Sequence, residues 1–515
     1  MQTSTEVVPN PAPSETDLAV ARWAAVDQRF SAMLAAGIPT AKALERRGRQ
    51  LLRENRLPEA MQSFRLATVV EPNDFQCWTN YGVLLERTNA LTDAIEALEH
   101  SLKLSADQPD TWLVLGLTQA KLGAVEAAEA AYMKVLELDP KSAIVWQCLG
   151  LLQEGLRRYG EAINCFQTCI ESGGASAALW ANLGKILQQT GRLAESCQAY
   201  AEAVRLDGAN IKYQEMLRRS NFRRDVCAGL PIDQALAAYV EFAPHRNTAD
   251  KDLAELFYTT FTFLAGFGHR EAAVQIGRKY LWMWPNSPSI EYLLKAVDGT
   301  EGVDRAPPAY VTEHFDGFAE GFDAQLVGRL GYDIPEKLGA AVLAVAVPGH
   351  RYDALDAGCG TGLCGPRLLP CVRTLTGVDL SPKMLSQAAK RGIYGELACE
   401  DLTSYLDRSA GRFDLVVAAD VMIYLGDLAP FFDAAARALG PGGLLAFSVE
   451  VIPQGTYRLL PSGRFAQSLS YVRSLANPAF EEQACLATTI RWEADVRVPG
   501  QIFVFRRREP SQTIS

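Results

Sequence analysis

Three glycines at alternate positions, Gly358, Gly360 and Gly362, follow the run Tyr352 to Ala357, which carries Asp356 near its end. Glycine at every second position lets the chain turn sharply and leaves bare backbone against which a ligand can lie. Asp356 stands two residues before the first glycine, where a carboxylate suits a cationic amino-acid moiety better than a diphosphate. Further acids recur at the ends of short apolar runs. Asp379, followed by Leu380, ends the run Leu375 to Val378, and a carboxylate at such a tip can accept from two ribose hydroxyls. Asp401 and Leu402 follow Glu396 to Cys399, which places a carboxylate where an exocyclic amine could donate to it. Asp420 closes the run Phe413 to Asp420. For each acid taken singly, a solvated carboxylate at a strand end is the competing reading.

Such residues need a scaffold that brings strand tips together. After the step Pro307-Pro308 the sequence changes to short β-branched runs alternating with helical patterns, the mark of a parallel α/β sheet. A helix from about Leu428 to Leu439 and the turn Gly440-Pro441-Gly442-Gly443 lead into a fifth strand, Leu444 to Glu450. The string Gly360-Thr361-Gly362-Leu363-Cys364-Gly365 also fits the G-x-G-x-x-G of dinucleotide-binding folds, and the position of Asp356 argues against that reading. In their order these motifs resemble the class I S-adenosylmethionine-dependent methyltransferases over roughly Tyr310 to Arg508. The resemblance implies a Rossmann-like sheet of seven strands whose last two, Glu482 to Glu493 and Gln501 to Arg507, form an antiparallel hairpin that dehydrogenases lack. It implies S-adenosyl-L-methionine as cofactor, with Asp356, Gly358, Gly360 and Gly362 on its methionine part. Asp379, with Leu380 beside it, would bind the ribose, Asp401 and Leu402 would flank the adenine, and Asp420 would line the methionine side.

Methyl transfer from a sulfonium is an in-line displacement that needs an aligned nucleophile more than a dedicated acid or base. Tyr424, four residues after Asp420, is the best-placed candidate to orient an acceptor or contact the methyl group. Phe315, Phe318 and Phe322, at i, i+3 and i+7, share one helix face, and their segment resembles the N-terminal cap of small-molecule methyltransferases. The segment after the fifth strand offers Tyr457, Arg464 and Tyr471 as acceptor contacts. Neither an Asn/Asp-Pro-Pro-Tyr/Phe motif nor a pair of glutamates follows the fourth strand, which disfavours amide, base-nitrogen and arginine acceptors.

The N-terminal half is ruled at 34 residues. Trp78, Trp112, Trp146 and Trp180 keep that spacing, as do Gly48, Gly82, Gly116, Gly150 and Gly184. Twelve residues past each glycine stands Ala60, Ala94, Ala128, Ala162 or Ser196, and four further on Phe64, Leu98, Tyr132, Phe166 or Tyr200. Small residues let paired helices approach, and the tryptophan and the large residue are expected to fill the gap to the next pair. The pattern resembles the tetratricopeptide repeat over five units. That resemblance puts Arg46, Asn80, Val114, Cys148 and Asn182 on a concave groove open to a protein or peptide partner, with self-association the alternative.

The organisation expected is therefore a tail and leading helix over 1–40, repeats over 41–210, a divergent helical linker over 211–300, cap helices over 301–350 and the methyltransferase core over 351–515. Residues 1–16 read as a loose tail and Asp17 to Ala36 as one helix. Both halves of the chain are mildly acidic, with 30 basic against 35 acidic residues before residue 300 and 20 against 25 after it, which argues against nucleic acid. Eleven scattered cysteines read as free thiols, and five histidines without ligand spacing give no metal site. The chain lacks the basic start and apolar run of a signal peptide, and its longest apolar stretch, Leu338 to Val347, is too short for a bilayer, so a cytoplasmic protein without membrane insertion is expected. The functional expectation is a methyltransferase whose repeats recruit a protein, peptide or carrier-bound acceptor. The alternatives are a quinone-like or natural-product O/C-methyltransferase with repeats used for assembly, and a non-catalytic scaffold that senses the cofactor.

Overall fold

The structure is a computed structural model that describes residues 15–241, 250–323, 332–493 and 496–509. Its residue contacts divide the chain into two compact units, residues 1–186 and 187–515.

The first unit is a run of antiparallel helix pairs, among them Phe75–Arg87 with Leu91–Leu104, Pro109–Leu122 with Val125–Leu138, and Ala143–Gly155 with Tyr159–Cys169. The 34-residue spacing has two structural causes. Each large residue lies on the glycine of its own pair: a Cβ added at Gly82 would come 2.7 Å from Leu98, at Gly116 2.6 Å from Tyr132 and at Gly150 2.3 Å from Phe166. The tryptophans are half-buried and close the turn before their helix. The indole nitrogens of Trp78, Trp112 and Trp146 donate to the carbonyls of Pro72, Ala106 and Pro140 at 2.8, 2.9 and 3.1 Å. The large residues thus seal their own pair, where the sequence reading had them fill the gap to the next. Gly150→Ala should accordingly cost about 1–3 kcal/mol, because an aromatic ring so close cannot yield. Thermal unfolding of the variant measures it.

Two sequence expectations about this unit change. The leading helix is broken into Glu15–Val26 and Gln28–Ala35, because Asp27 caps the second piece at Phe30 N and receives the buried Arg47 guanidinium at 2.6 Å. In the groove series, the Asn80 amide donates to Glu45 at 2.6 Å, an internal bond. Of the expected tail, residues 1–14 lie outside the described residues.

In the second unit a seven-stranded sheet has the order β3-β2-β1-β4-β5-β9-β8. Its strands are β1 (Tyr352–Ala357), β2 (Val372–Asp379), β3 (Glu396–Cys399), β4 (Phe413–Ala418), β5 (Leu439–Glu450), β8 (Phe480–Glu493) and β9 (Val496–Arg507). The first five run parallel, and the closing hairpin is antiparallel. Continuous apolar strands follow from burial on both faces: Leu355, Val416 and Phe447 enter one core while Ala354, Leu415 and Ala446 enter the other. β5 begins earlier than the glycines imply. Leu439 already pairs with Phe413, and the register then jumps so that Leu444 pairs with Leu415, looping Gly440 to Gly443 out of the ladder.

β6 (Tyr457–Leu459) and β7 (Phe465–Gln467) form a separate small hairpin after β5. Helices over Ile211–Cys227, Ile232–Glu241, Asp250–Gly266, Arg270–Met283 and Pro288–Asp298 precede the sheet. Their apolar faces share one core, Phe222, Phe257, Phe261 and Ile290 included, with Tyr310 and Val311 of the next helix and with Phe465 of β7. No helix of the described residues is long and apolar enough to cross a membrane.

Candidate functional site

The parallel strands end at one cavity of about 360 Å³. Asp356, Gly358, Gly360, Asp379, Leu380, Asp401, Leu402, Asp420 and Tyr424 line it, and Phe315, Phe318 and Arg464 close it from outside the sheet. Gly362 sits in the same turn but outside the lining, where an added Cβ would come 2.9 Å from the Tyr394 ring.

The turn after β1 holds because its glycines adopt backbone that other residues resist. Gly358 has φ +71° and an added Cβ there would come 2.4 Å from Val421, whereas Gly360, at φ +53°, would meet nothing within 4 Å. The tip of β2 holds the turn from the other side, the Asp379 carboxylate accepting from Gly360 N at 2.9 Å and Ser381 N at 2.8 Å. Beneath it lies Asp356, 1% exposed, which accepts from the Tyr394 hydroxyl at 2.6 Å. Burial pushes the Asp356 carboxyl up to about 7, against the Tyr394 bond and together with the charge of Asp379. The Asp379 carboxyl is also raised, by burial, against three backbone N–H bonds.

Asp401 caps the helix Leu402–Asp407 at Ser404 N and pairs with Arg305 at 2.5 Å. Asp420 has φ +58°, left-handed backbone that aspartate tolerates better than most residues and that concentrates at functional positions. Its own N–H donates to Ser448 at 2.9 Å.

A cap lies over these tips. The helix Pro308–Phe318 brings Phe315 to 5.7 Å from the Tyr424 ring and 6.0 Å from Phe322. Two acids latch it. Asp316 accepts from Ser381 Oγ at 2.6 Å, next to Asp379, and Asp323 accepts from Thr361 Oγ1 and from Arg391, whose Nε holds the Thr361 carbonyl at 2.6 Å. His314 also lines the cavity, and burial, then Arg464, lowers its imidazole below the ordinary value. Burial raises the Tyr424 phenol, so it is a neutral hydroxyl at pH 7.

Tyr457 and Tyr471 lie outside the cavity lining. The Tyr457 hydroxyl donates to Asp304 at 2.6 Å, and that of Tyr471 donates to Asp427 at 2.9 Å while accepting from Leu428 N. Both secure the small hairpin, and of the three candidates from this segment only Arg464 reaches the lining. Sequence reasoning missed His314, Tyr332, Arg305 and Arg491, which line the cavity, and Tyr394 behind Asp356. Arg491 comes from the closing hairpin and pairs with Glu450, 2% exposed at the end of β5. An arginine between Ile490 and Trp492 in the expected strand was the signal available for it.

Residues 354–443 match the model of a methyltransferase domain, and tetratricopeptide repeat models match residues 46–109, 109–142 and 149–211. The chain is 29% identical over 161 residues to aklanonic acid methyltransferase DauC of Streptomyces sp. (strain C5), a match covering 29% of this chain and 70% of that one. It is 31% identical over 135 residues to the ubiquinone biosynthesis O-methyltransferase of Xylella fastidiosa (strain 9a5c), covering 23% and 54%. This and other curated relatives are spanned over about half of their own length, from 38% to 58%. Among solved structures, N-methyltransferase NodS from Bradyrhizobium japonicum WM9, in complex with S-adenosyl-L-homocysteine, is 23% identical with a TM-score of 0.29 and covers 34% of this chain and 86% of that one. A tetratricopeptide repeat protein from Parabacteroides merdae ATCC 43184 is 20% identical with a TM-score of 0.34, covering 50% and 98%.

The sheet order and the matched models show tetratricopeptide repeats followed by a domain of the class I methyltransferase fold. The expected fold class is thus the one found, and the chain carries a methyltransferase domain.

Proposed function

We propose that the chain binds S-adenosylmethionine in the cavity at the strand tips and methylates a small or carrier-presented acceptor, while its repeats recruit a protein partner. One observation carries the reading: Asp356, the bare glycine backbone, Asp379 and Asp401 converge on a single cavity that Tyr424 and the cap also line. The residues present fit the cofactor. Buried carboxylates at the tips of β1 and β2 suit an ammonium group and a ribose diol, and no Cβ stands above Gly360. S-adenosylmethionine bound there would supply an electrophilic methyl group.

The protein's share is placement. Asp356 holds the cationic end, Asp379 the sugar, and Asp401 with Leu402 the base. Phe315, Phe318 and Phe322 exclude water from the reacting end, and Tyr424 presents a neutral hydroxyl that can orient an acceptor oxygen. A cap latched at both Asp316 and Asp323 favours an acceptor small enough to pass beneath it, in keeping with relatives named for aklanonic acid and ubiquinone biosynthesis.

Calorimetric titration with S-adenosylhomocysteine and with NADH tests the assignment: the first is expected to bind, and binding of NADH alone would sink it. Radiolabelled methyl transfer in a cell extract, separated into protein and small-molecule fractions, is expected to label the small-molecule fraction. Label confined to protein, and not released from a carrier by mild base, would shift the acceptor to a polypeptide.

A further inference from the structure

We infer that His314 is the general base of the reaction: its imidazole takes the proton of a phenolic acceptor hydroxyl as that oxygen attacks the methyl group. The inference rests on the methyltransferase reading of the same cavity and names the acceptor atom.

His314 lies on the cap helix Pro308–Phe318, which works on two sides. Thr312 and Asp316, one turn apart, bond to the tip of β2 at the Leu380 carbonyl and at Ser381 Oγ. His314 stands about 200° further round the helix from Thr312, turned from that tip, and lines the cavity. Phe315 lies edge-on to the His314 ring at 5.3 Å and to the Tyr424 ring at 5.7 Å, so imidazole and phenol border one stretch of the cavity wall. Tyr310, stacked at 5.9 Å, and Phe318, tilted at 5.2 Å, complete the rings that hold the imidazole in place.

The charges around His314 keep it a base. Burial, and then the cation of Arg464, hold the imidazole below its ordinary value. Arg464 is itself positioned by the bond that the Tyr292 hydroxyl donates to the Gly463 carbonyl at 2.9 Å. The acids of the cap helix are engaged elsewhere, Glu313 by Ser289 and Asp316 by Ser381, and Tyr310 and Tyr424 are neutral near pH 7.

In the transfer, the acceptor O–H bond breaks and its proton passes to an imidazole nitrogen. The O–C bond forms as the C–S bond breaks, leaving S-adenosylhomocysteine, and one positive charge moves from sulfonium to imidazole. A phenol suits this base because its pKa lies only about 3–4 units above that of imidazole.

The test uses the full chain, tritiated S-adenosylmethionine at saturation, so that Asp356 does not titrate into the rate, and the low-mass fraction of a cell extract as acceptor. The product is expected to keep its label in mild base and to release it to boron tribromide, which cleaves aryl methyl ethers. The wild-type rate is expected to fall about tenfold per pH unit on the acid side of a limb that lies below the ordinary histidine value of about 6.5. His314→Ala should lower transfer about 100-fold or more and regain rate with added imidazole, while S-adenosylhomocysteine affinity stays within about twofold. Label released by mild base, label resistant to boron tribromide, a wild-type rate flat to about pH 4, or a variant that is fully active or unrescued by imidazole would overturn the inference. The chemistry of the label and the wild-type profile need no variant and stand even if the substitution unfolds the protein. A wild type that binds no S-adenosylhomocysteine, or labels nothing of low mass, would instead overturn the reading on which the inference rests.

Discussion

Asp379→Ala should weaken S-adenosylhomocysteine binding by more than about 100-fold. A carboxylate that accepts from two ribose hydroxyls makes two hydrogen bonds to a charged group, each worth about 1.5–3 kcal/mol, and alanine removes both. The loss is compounded because the same carboxylate fixes Gly360 N and Ser381 N, so the glycine turn also loses its anchor. Asp379→Asn, which keeps the shape and one acceptor oxygen, should fall between wild type and alanine. Calorimetry on the three proteins decides, and unchanged affinity in the alanine variant would remove Asp379 from the site.

Cofactor affinity should also rise with pH and level off above about 7. In the ligand-free protein the Asp356 carboxyl, pushed up to about 7, is protonated through the acid range. A cationic group binds its anion, so binding must release that proton whenever the pH lies below the raised value. The affinity should therefore drop by about 30-fold between pH 8 and pH 5.5, and Asp356→Asn should be weak and flat over the same interval. Native stability moves the opposite way. The folded value lies above the ordinary 3.8, so protonation favours the native state: this contribution is complete below about 3.8 and is lost as the pH rises through about 7. The ligand-free melting temperature should fall from this group as the pH climbs, and the thermal shift produced by S-adenosylhomocysteine should grow.

Local spacing made part of this molecule legible. Asp356 with Gly358 and Gly360, and the acids at the ends of β2 and β3, lie next to their strands in sequence, so strand, tip and turn could be read together. The 34-residue spacing was equally plain, although it did not disclose that the tryptophans close turns and that each glycine is covered by its own pair. Tyr394 reaches Asp356 across 38 residues, and Asp316 and Asp323 reach β2 and the glycine turn across more than 35, contacts that no periodicity encodes. Tyr457 and Tyr471 show the same limit. Their position after β5 suggested an acceptor loop, and their hydroxyls are bonded to Asp304 and Asp427, 153 and 44 residues away in sequence.

The helices between residues 211 and 298 bury their apolar faces against Tyr310, Val311 and Phe465, and one of them steadies the residue before Arg464. In terms of inheritance, that makes a cut at Pro307-Pro308 a poor place to exchange parts. A recombination there would deliver a sheet and its strand tips with an arginine loop that had lost its backing. The helices from residue 211 onward therefore travel with the sheet as one inherited part, and mutations in them can shift the cavity wall without lining it.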